Sequence, residues 1–298
     1  MEEMIRRILP LFVLVVHVAV MTAAEDPQRS LIWKVTPPTG ASSYVFGTIH
    51  VPDTTVFRQR DTVLSLLRTC TTFAAELHLD SAAANMDASM LFLPKGTLYD
   101  LTDSATVREI CSVLAERSPS MAVLCPRLSP GALSMILTMA DVTPTAPVAM
   151  DQFLWDLAGK AGAHRVGLEA LSEQKALLDR FTPAMVLDQV RDMDVNDSLF
   201  DQLVDVYASE DLAAMAELAS DPSLNMLDDV MAEFNDDRNV RMVERMEPLL
   251  RNGRAFVAVG ALHLTGPKSI LLLLRSKGYT VEPVLGGTRS MWIPIATR

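Results

Sequence analysis

Cysteine is scarce in this chain. Cys70, Cys111 and Cys125, three residues in 298, are too few for a disulfide framework, and their spacing matches no metal-binding motif. In an oxidising compartment Cys111 can pair with Cys125, leaving Cys70 in an apolar stretch. Basic runs are missing too. A net charge of −11 and a pI of about 4.9 disfavour nucleic acid and anionic membranes as partners, and no Lys or Arg cluster interrupts that balance. Long hydrophobic runs are absent except for Ile8 to Met21, which is shorter than the ~20 residues a spanning helix needs. Arg6 and Arg7 precede this run and Thr22-Ala23-Ala24 follow it, so residues 1–24 read as a secretory signal cleaved before Glu25. The mature chain is then periplasmic or secreted, with no stable membrane span; an uncleaved N-terminal anchor is the alternative reading.

What remains is ordinary globular material. With 49% hydrophobic and 21% charged residues, residues 25–298 suffice for one large domain. Leu31 to Val35 is β-branched and aromatic and runs into Pro37-Pro38-Thr39-Gly40, so it predicts a strand that forms a hairpin with Tyr44-Val45-Phe46. Helical spacing follows over Arg58 to Arg68, and an extended pattern over Thr71 to Leu79. From about 97 to 250 the pattern is mostly helical, with candidate helices at Leu114 to Leu124, Ala132 to Ala140, Gln152 to Ala161, Ser172 to Phe181, Pro183 to Met193, Ser198 to Ala208 and Asp211 to Leu218. Arg165 to Glu169 interrupts them as a short strand, and a long helix from Leu227 to Leu250 stops at Asn252-Gly253. The tail returns to strand (Ala255 to Val259), helix (Lys268 to Lys277) and strand (Tyr279 to Val284). Strand, Gly-x-x-His, helix, strand therefore occurs twice. The expected fold is α/β (α+β), a central sheet built from two such halves with a large helical insertion.

The repeated motif is where chemistry is expected. Gly47-Thr48-Ile49-His50 and Gly260-Ala261-Leu262-His263 each stand at a strand end, in a chain with only five histidines. Ligands of parallel α/β sheets collect outside the carboxyl ends of strands, where a Gly permits close backbone approach and a His can serve as base or metal ligand. A pair of hydrogen-bonded structural histidines is the competing reading. Glu76 emerges from the apolar strand Phe73 to Leu77, and a carboxylate there is costly unless paired, protonated or metal-bound. Period-two alternation puts Glu76, His78 and Asp80 on one face. Glu169 closes its strand in the same manner. Asp151 begins a helix and can serve there as a cap, while Arg238 and Asn239 lie on the long helix, where a solvated face is the usual fate. The 17 methionines fall at apolar helix positions and read as core filling.

Taken together, these stretches resemble the TraB/GumN family, the bacterial relatives of the TIKI metalloproteases. The matching segments are Leu31 to Val35, Phe46-Gly47-Thr48-Ile49-His50-Val51, Glu76, Met150-Asp151-Gln152-Phe153-Leu154, Gly167-Leu168-Glu169 with Glu173-Gln174, Asp237-Arg238-Asn239, Val259 to Leu264 with Gly266, and Gly278-Tyr279-Thr280-Val281. The resemblance implies both Gly-x-x-His motifs facing one cleft, with His50, His263 and Glu76 as active-site residues that hold a divalent metal. Lacking a thiolate, this set does not single out zinc, and manganese or cobalt suit it as well. It further implies a hydrolase acting on a peptide or protein, with Arg238 and Asn239 as polar groups facing the cleft. In the mechanism expected of such a site, Glu169 or Asp151 moves protons and Arg238 stabilises an oxyanion. A metal-free His/carboxylate hydrolase and a non-catalytic cell-envelope accessory protein are the rival expectations.

Overall fold

The computed structural model describes residues 29–284, apart from 55, 58–59, 86, 141–143 and 220–231. The expected secretory segment lies outside the described residues. Strands β1 (Ile32–Thr36) and β2 (Ser43–Thr48) form the expected antiparallel hairpin, with Trp33 opposite Val45. Helix α1 (Arg60–Leu67) then leads to β3 (Thr72–Leu77). The short α2 (Leu79–Asn85) opens the helical insertion, which continues with α3 (Ser104–Arg117), α4 (Pro130–Met139) and α5 (Met150–Lys160). After β4 (His164–Glu169) come α6 (Leu171–Leu178), α7 (Pro183–Arg191), α8 (Met193–Ser209) and α9 (Leu212–Ala219). A π-helical segment at Ala232–Asp237 runs into α10 (Arg238–Asn252), followed by β5 (Ala255–Gly260), a 3-10 turn (Ala261–Leu264), α11 (Ile270–Ser276) and β6 (Thr280–Pro283).

The sheet order is β4-β3-β5-β2-β1-β6. β2, β5, β3 and β4 are mutually parallel, whereas β1 is antiparallel to both β2 and β6. Hence β6 also runs with the parallel set, and β1 alone runs against it. The chain leaves β2 through α1 and steps over β5 to reach β3; it leaves β5 through α11 and steps over β2 and β1 to reach β6. The two connections depart in opposite directions from adjacent strands. That is a topological switch point, and the crevice above it is where α/β sheets bind ligands.

Aromatic packing joins the strands that matter. Phe46 on β2, Phe256 on β5 and Phe73 on β3 are all buried, with ring centroids 6.3 Å (Phe46–Phe256) and 6.1 Å (Phe73–Phe256) apart. Full burial of such a ring stabilises by roughly 1.5–3 kcal/mol. On α10 the buried residues Met242, Val243, Met246 and Leu250 follow helical spacing and face the sheet's core. A second, smaller apolar cluster in the insertion gathers Ile110, Leu114, Leu128 and Leu133, and the disulfide Cys111–Cys125 braces it.

Two sequence expectations are corrected here. Leu114 to Leu124 is not one helix: α3 stops at Arg117, and a 3-10 segment occupies Pro119–Arg127. Pro119 has no N–H to continue the helix and disfavours helical backbone at Ser118. Nor does alternation carry past Leu77, because α2 starts at Leu79 and Ala82 N–H bonds the His78 carbonyl. Of the expected long helix, Leu227 to Met231 lie outside the described residues.

Candidate active site

Both Gly-x-x-His motifs begin on the central strand pair, with Gly47 in register with Val259 and Thr48 with Gly260. The close approach explains the first glycine. A Cβ on Gly47 would stand 2.9 Å from Leu264 Cδ1 and 3.0 Å from Ala261 Cα. Gly260 serves differently: its Cβ would project into the cleft, 3.2 Å from Glu76 Oε1 and 4.0 Å from His50 Nε2. Glycine there leaves space among the functional groups.

The two imidazoles are held from behind. Asn239 Nδ2 donates to the Lys268 carbonyl at 3.0 Å, which orients the amide so that Oδ1 meets His263 Nδ1 at 2.7 Å. An amide oxygen only accepts, so Nδ1 carries the proton and Nε2 presents its lone pair. His50 Nδ1 meets Asp151 Oδ2 as an ion pair at 2.7 Å, and among the described residues that buried oxygen has no other partner. The other Asp151 oxygen accepts the Thr48 hydroxyl at 2.7 Å. Both Nε2 atoms turn to one atom, Glu76 Oε1, at 3.5 Å from His263 and 4.0 Å from His50. Glu76 Oε1 also accepts the Gly260 N–H at 2.7 Å, and Oε2 accepts Arg238 Nη2 at 2.7 Å. Arg238 in turn holds Glu169 through two bonds of 2.9 and 2.6 Å, and Gln174 reaches Glu169 at 3.3 Å.

Electrostatics separate these groups. Burial raises the Glu76 carboxyl, but His263, His50, Arg238 and the Gly260 N–H outweigh it and hold it at about 2, so Glu76 is ionised. Burial lowers His263 to about 4, with Glu76 opposing, and keeps the ring neutral. The Asp151 charge raises His50 to about 9 against desolvation. The His50 side chain is 62% exposed, so water tempers that shift, whereas His263 is 5% exposed.

Two imidazole nitrogens and a carboxylate oxygen thus converge: His263 Nε2 and Glu76 Oε1 are acceptors, and the proton that His50 keeps at neutral pH is the charge that a bound cation would replace. With the His50 proton displaced, three carboxylates (Glu76, Glu169, Asp151) would face one guanidinium, a deficit of two charges that a divalent cation offsets. Imidazoles whose Nδ1 is held by a carboxylate or carbonyl are also the usual form of metal-binding histidine. By donor chemistry and orientation the residues fit such an ion. Among the described residues, no three His, Cys, Asp or Glu side chains are drawn tightly enough to make a finished ligand cluster, and Glu76 is engaged with Gly260 and Arg238.

The sequence-derived residues His50, Glu76, His263, Asp151, Glu169, Arg238 and Asn239 all meet here. Asp151 is not the cap of α5, whose N-cap is Ala149; its carboxylate is turned to Thr48 and His50. Arg238 and Asn239 are buried rather than solvated. His78 and Asp80 have left the group: the His78 ring packs edge-on to Trp155 at 4.7 Å, and Asp80 accepts Trp155 Nε1 at 2.9 Å and pairs with Arg165 at 2.7 Å. Sequence reading missed Thr48 and the roles of Gln174 and the Lys268 carbonyl. Only Thr48 carried a signal, because it lies two residues before His50 and shares its side of an extended chain.

A mixed sheet with paired Gly-x-x-His motifs over its switch point defines the class of this protein. The TraB/PrgY/gumN family model matches residues 31–283, and the chain belongs to that family. No curated protein and no solved structure matches it. Among the described residues no helix is long and apolar enough to cross a membrane.

Proposed function

We propose that the chain is a hydrolase of peptide or protein substrates, secreted through residues 1–24, in which His50, His263 and Glu76 hold a divalent cation such as Zn, Mn or Co. The observation that carries this reading is the convergence of two Nε2 atoms on Glu76 Oε1. When bound, such an ion lowers the pKa of its water from ~15.7 to about 7 and so supplies hydroxide at neutral pH. The chain's own groups do the positioning. Asn239 keeps the His263 proton on Nδ1, Asp151 does the same at His50, and Arg238 steers Glu76. Arg238 Nε and both Nη2 protons are committed to Glu76 and Glu169, so Arg238 acts as a brace for these carboxylates. The peptide or protein class rests on the family resemblance alone.

A second reading has its own support. The Asp151–His50 pair, on an exposed ring, supports acid–base chemistry without metal, with His50 serving as base once pH rises towards its raised value of about 9. The test is metal analysis of protein purified from supplemented buffer, followed by peptide-library hydrolysis with and without chelator. Stoichiometric metal and chelator-sensitive cleavage are expected, with both lost in His50→Ala/His263→Ala. Cleavage that survives exhaustive chelation selects the metal-free route. No cleavage under either condition overturns the hydrolase reading.

A further inference from the structure

The two Gly-x-x-His motifs are built alike in the backbone but not in what supports the imidazole. At His263 the partner is a neutral amide, anchored by a main-chain carbonyl, and the residue after the glycine is Ala261, which has no hydroxyl. At His50 the partner is a carboxylate, and the residue after the glycine is Thr48, 1% exposed, whose hydroxyl bonds that same carboxylate. Asp151 comes from the first turn of α5, an element 103 residues away from Thr48 in sequence, and a carboxylate can swing about its last torsion. Among the described residues its Oδ1 takes one donor, Thr48, at 2.7 Å, and its Oδ2 meets only His50. Thr48 itself is rigid: it ends β2 in register with Gly260, and its β-branched side chain has few rotamers. The orientation of Asp151, and through it of the more exposed imidazole, is therefore referred to the sheet by one hydroxyl.

We propose that Thr48 is a positioning residue for His50, its hydroxyl holding Asp151 so that Oδ2 meets Nδ1 and Nε2 points into the cleft. The role rests on the reading of this cleft as a hydrolytic site, but its first measurement does not. In metal-free protein, the His50 Nδ1–H resonance is followed by NMR for wild type, Thr48→Val and Thr48→Ser. Valine keeps the shape and removes the donor; serine keeps the donor. The resonance is expected to be exchange-protected in wild type and serine, and lost or broadened in valine and in Asp151→Asn. Where hydrolysis is measurable, valine lowers kcat about 10-fold, the loss of one charge-assisted hydrogen bond, with KM unchanged, and serine recovers most of it. Should valine fail to fold, Thr48→Ala gives the same comparison. A folded valine or alanine variant with wild-type protection of the His50 proton overturns the proposal, as does a kcat loss that serine shares. Absence of hydrolysis in wild type would count against the functional reading and leave the NMR result to decide the role of Thr48.

Discussion

Arg238 grips Glu169 with two near-parallel bonds, Nε to Oε1 at 2.9 Å and Nη2 to Oε2 at 2.6 Å, while the same Nη2 reaches Glu76. The Glu169 side chain is 1% exposed, so its charge has no water to fall back on. Removing the guanidinium, as in Arg238→Met, leaves two buried carboxylates without their counter-charge. The expected loss is about 3–5 kcal/mol of folding stability, read from urea denaturation. A loss below about 1 kcal/mol would show that the pair does not brace the site.

The pH dependence of stability in metal-free protein follows from three shifted groups. His263 is lowered from 6.5 to about 4, so its contribution is full above 6.5 and is lost as pH falls through 4. Glu76, lowered from 4.5 to about 2, adds a further loss below 4.5. His50 is raised from 6.5 to about 9, so its contribution is full below 6.5 and fades as pH rises through 9, blunted by exposure of the ring. Melting temperature against pH should therefore peak near 6.5. His50→Ala should flatten the alkaline limb; an alkaline limb that persists unchanged in that variant contradicts the assignment.

The two motif glycines should fail in different ways when changed to alanine. Gly260 has φ −53°, which alanine adopts freely, and its new Cβ would enter the cleft 3.2 Å from Glu76 Oε1. Activity should fall about 10-fold or more with stability nearly kept. Gly47→Ala instead drives a methyl into Leu264 and the Ala261 backbone, and overpacking of that kind costs about 1–3 kcal/mol. Paired melting curves and rate measurements separate the two; equal losses in both readouts for both variants would refute the distinction.

The disulfide should matter to the insertion and not to the chemistry. Cys111–Cys125 spans 14 residues, and a loop of that size is stabilised by about 3 kcal/mol in the chain-entropy account. It braces the second apolar cluster, which shares none of the cleft residues. Reduction, or Cys111→Ala with Cys125→Ala, should lower the melting temperature while leaving hydrolysis at temperatures below the transition unaltered. Loss of activity in fully folded reduced protein would tie the insertion to the site.

Much of this architecture was legible from local pattern. Alternation and β-branched runs marked all six described strands, helical spacing marked most helices, and the repeated strand–Gly-x-x-His–helix–strand order pointed to a pair of histidines at strand ends. Where punctuation was strong, local chemistry prevailed even against apolar spacing, as Pro119 did in ending α3.

What the sequence determined by itself is the burial period of each segment and the backbone freedom of its turns, because both depend on neighbours within a few residues. Only the tertiary structure decided that β2 and β5 lie side by side, that Asp151 turns from its own helix end to His50, that Arg238 and Asn239 are buried, and that His78 and Asp80 go to Trp155. Many of these choices join residues far apart in sequence: Arg238 and Glu169 are 69 positions apart, Gly260 and Glu76 184, and Tyr44 and Phe256 of the β2–β5 pair 212. No local period encodes them. They follow from which strands share a sheet and from the high cost of leaving a buried charge or amide without a partner.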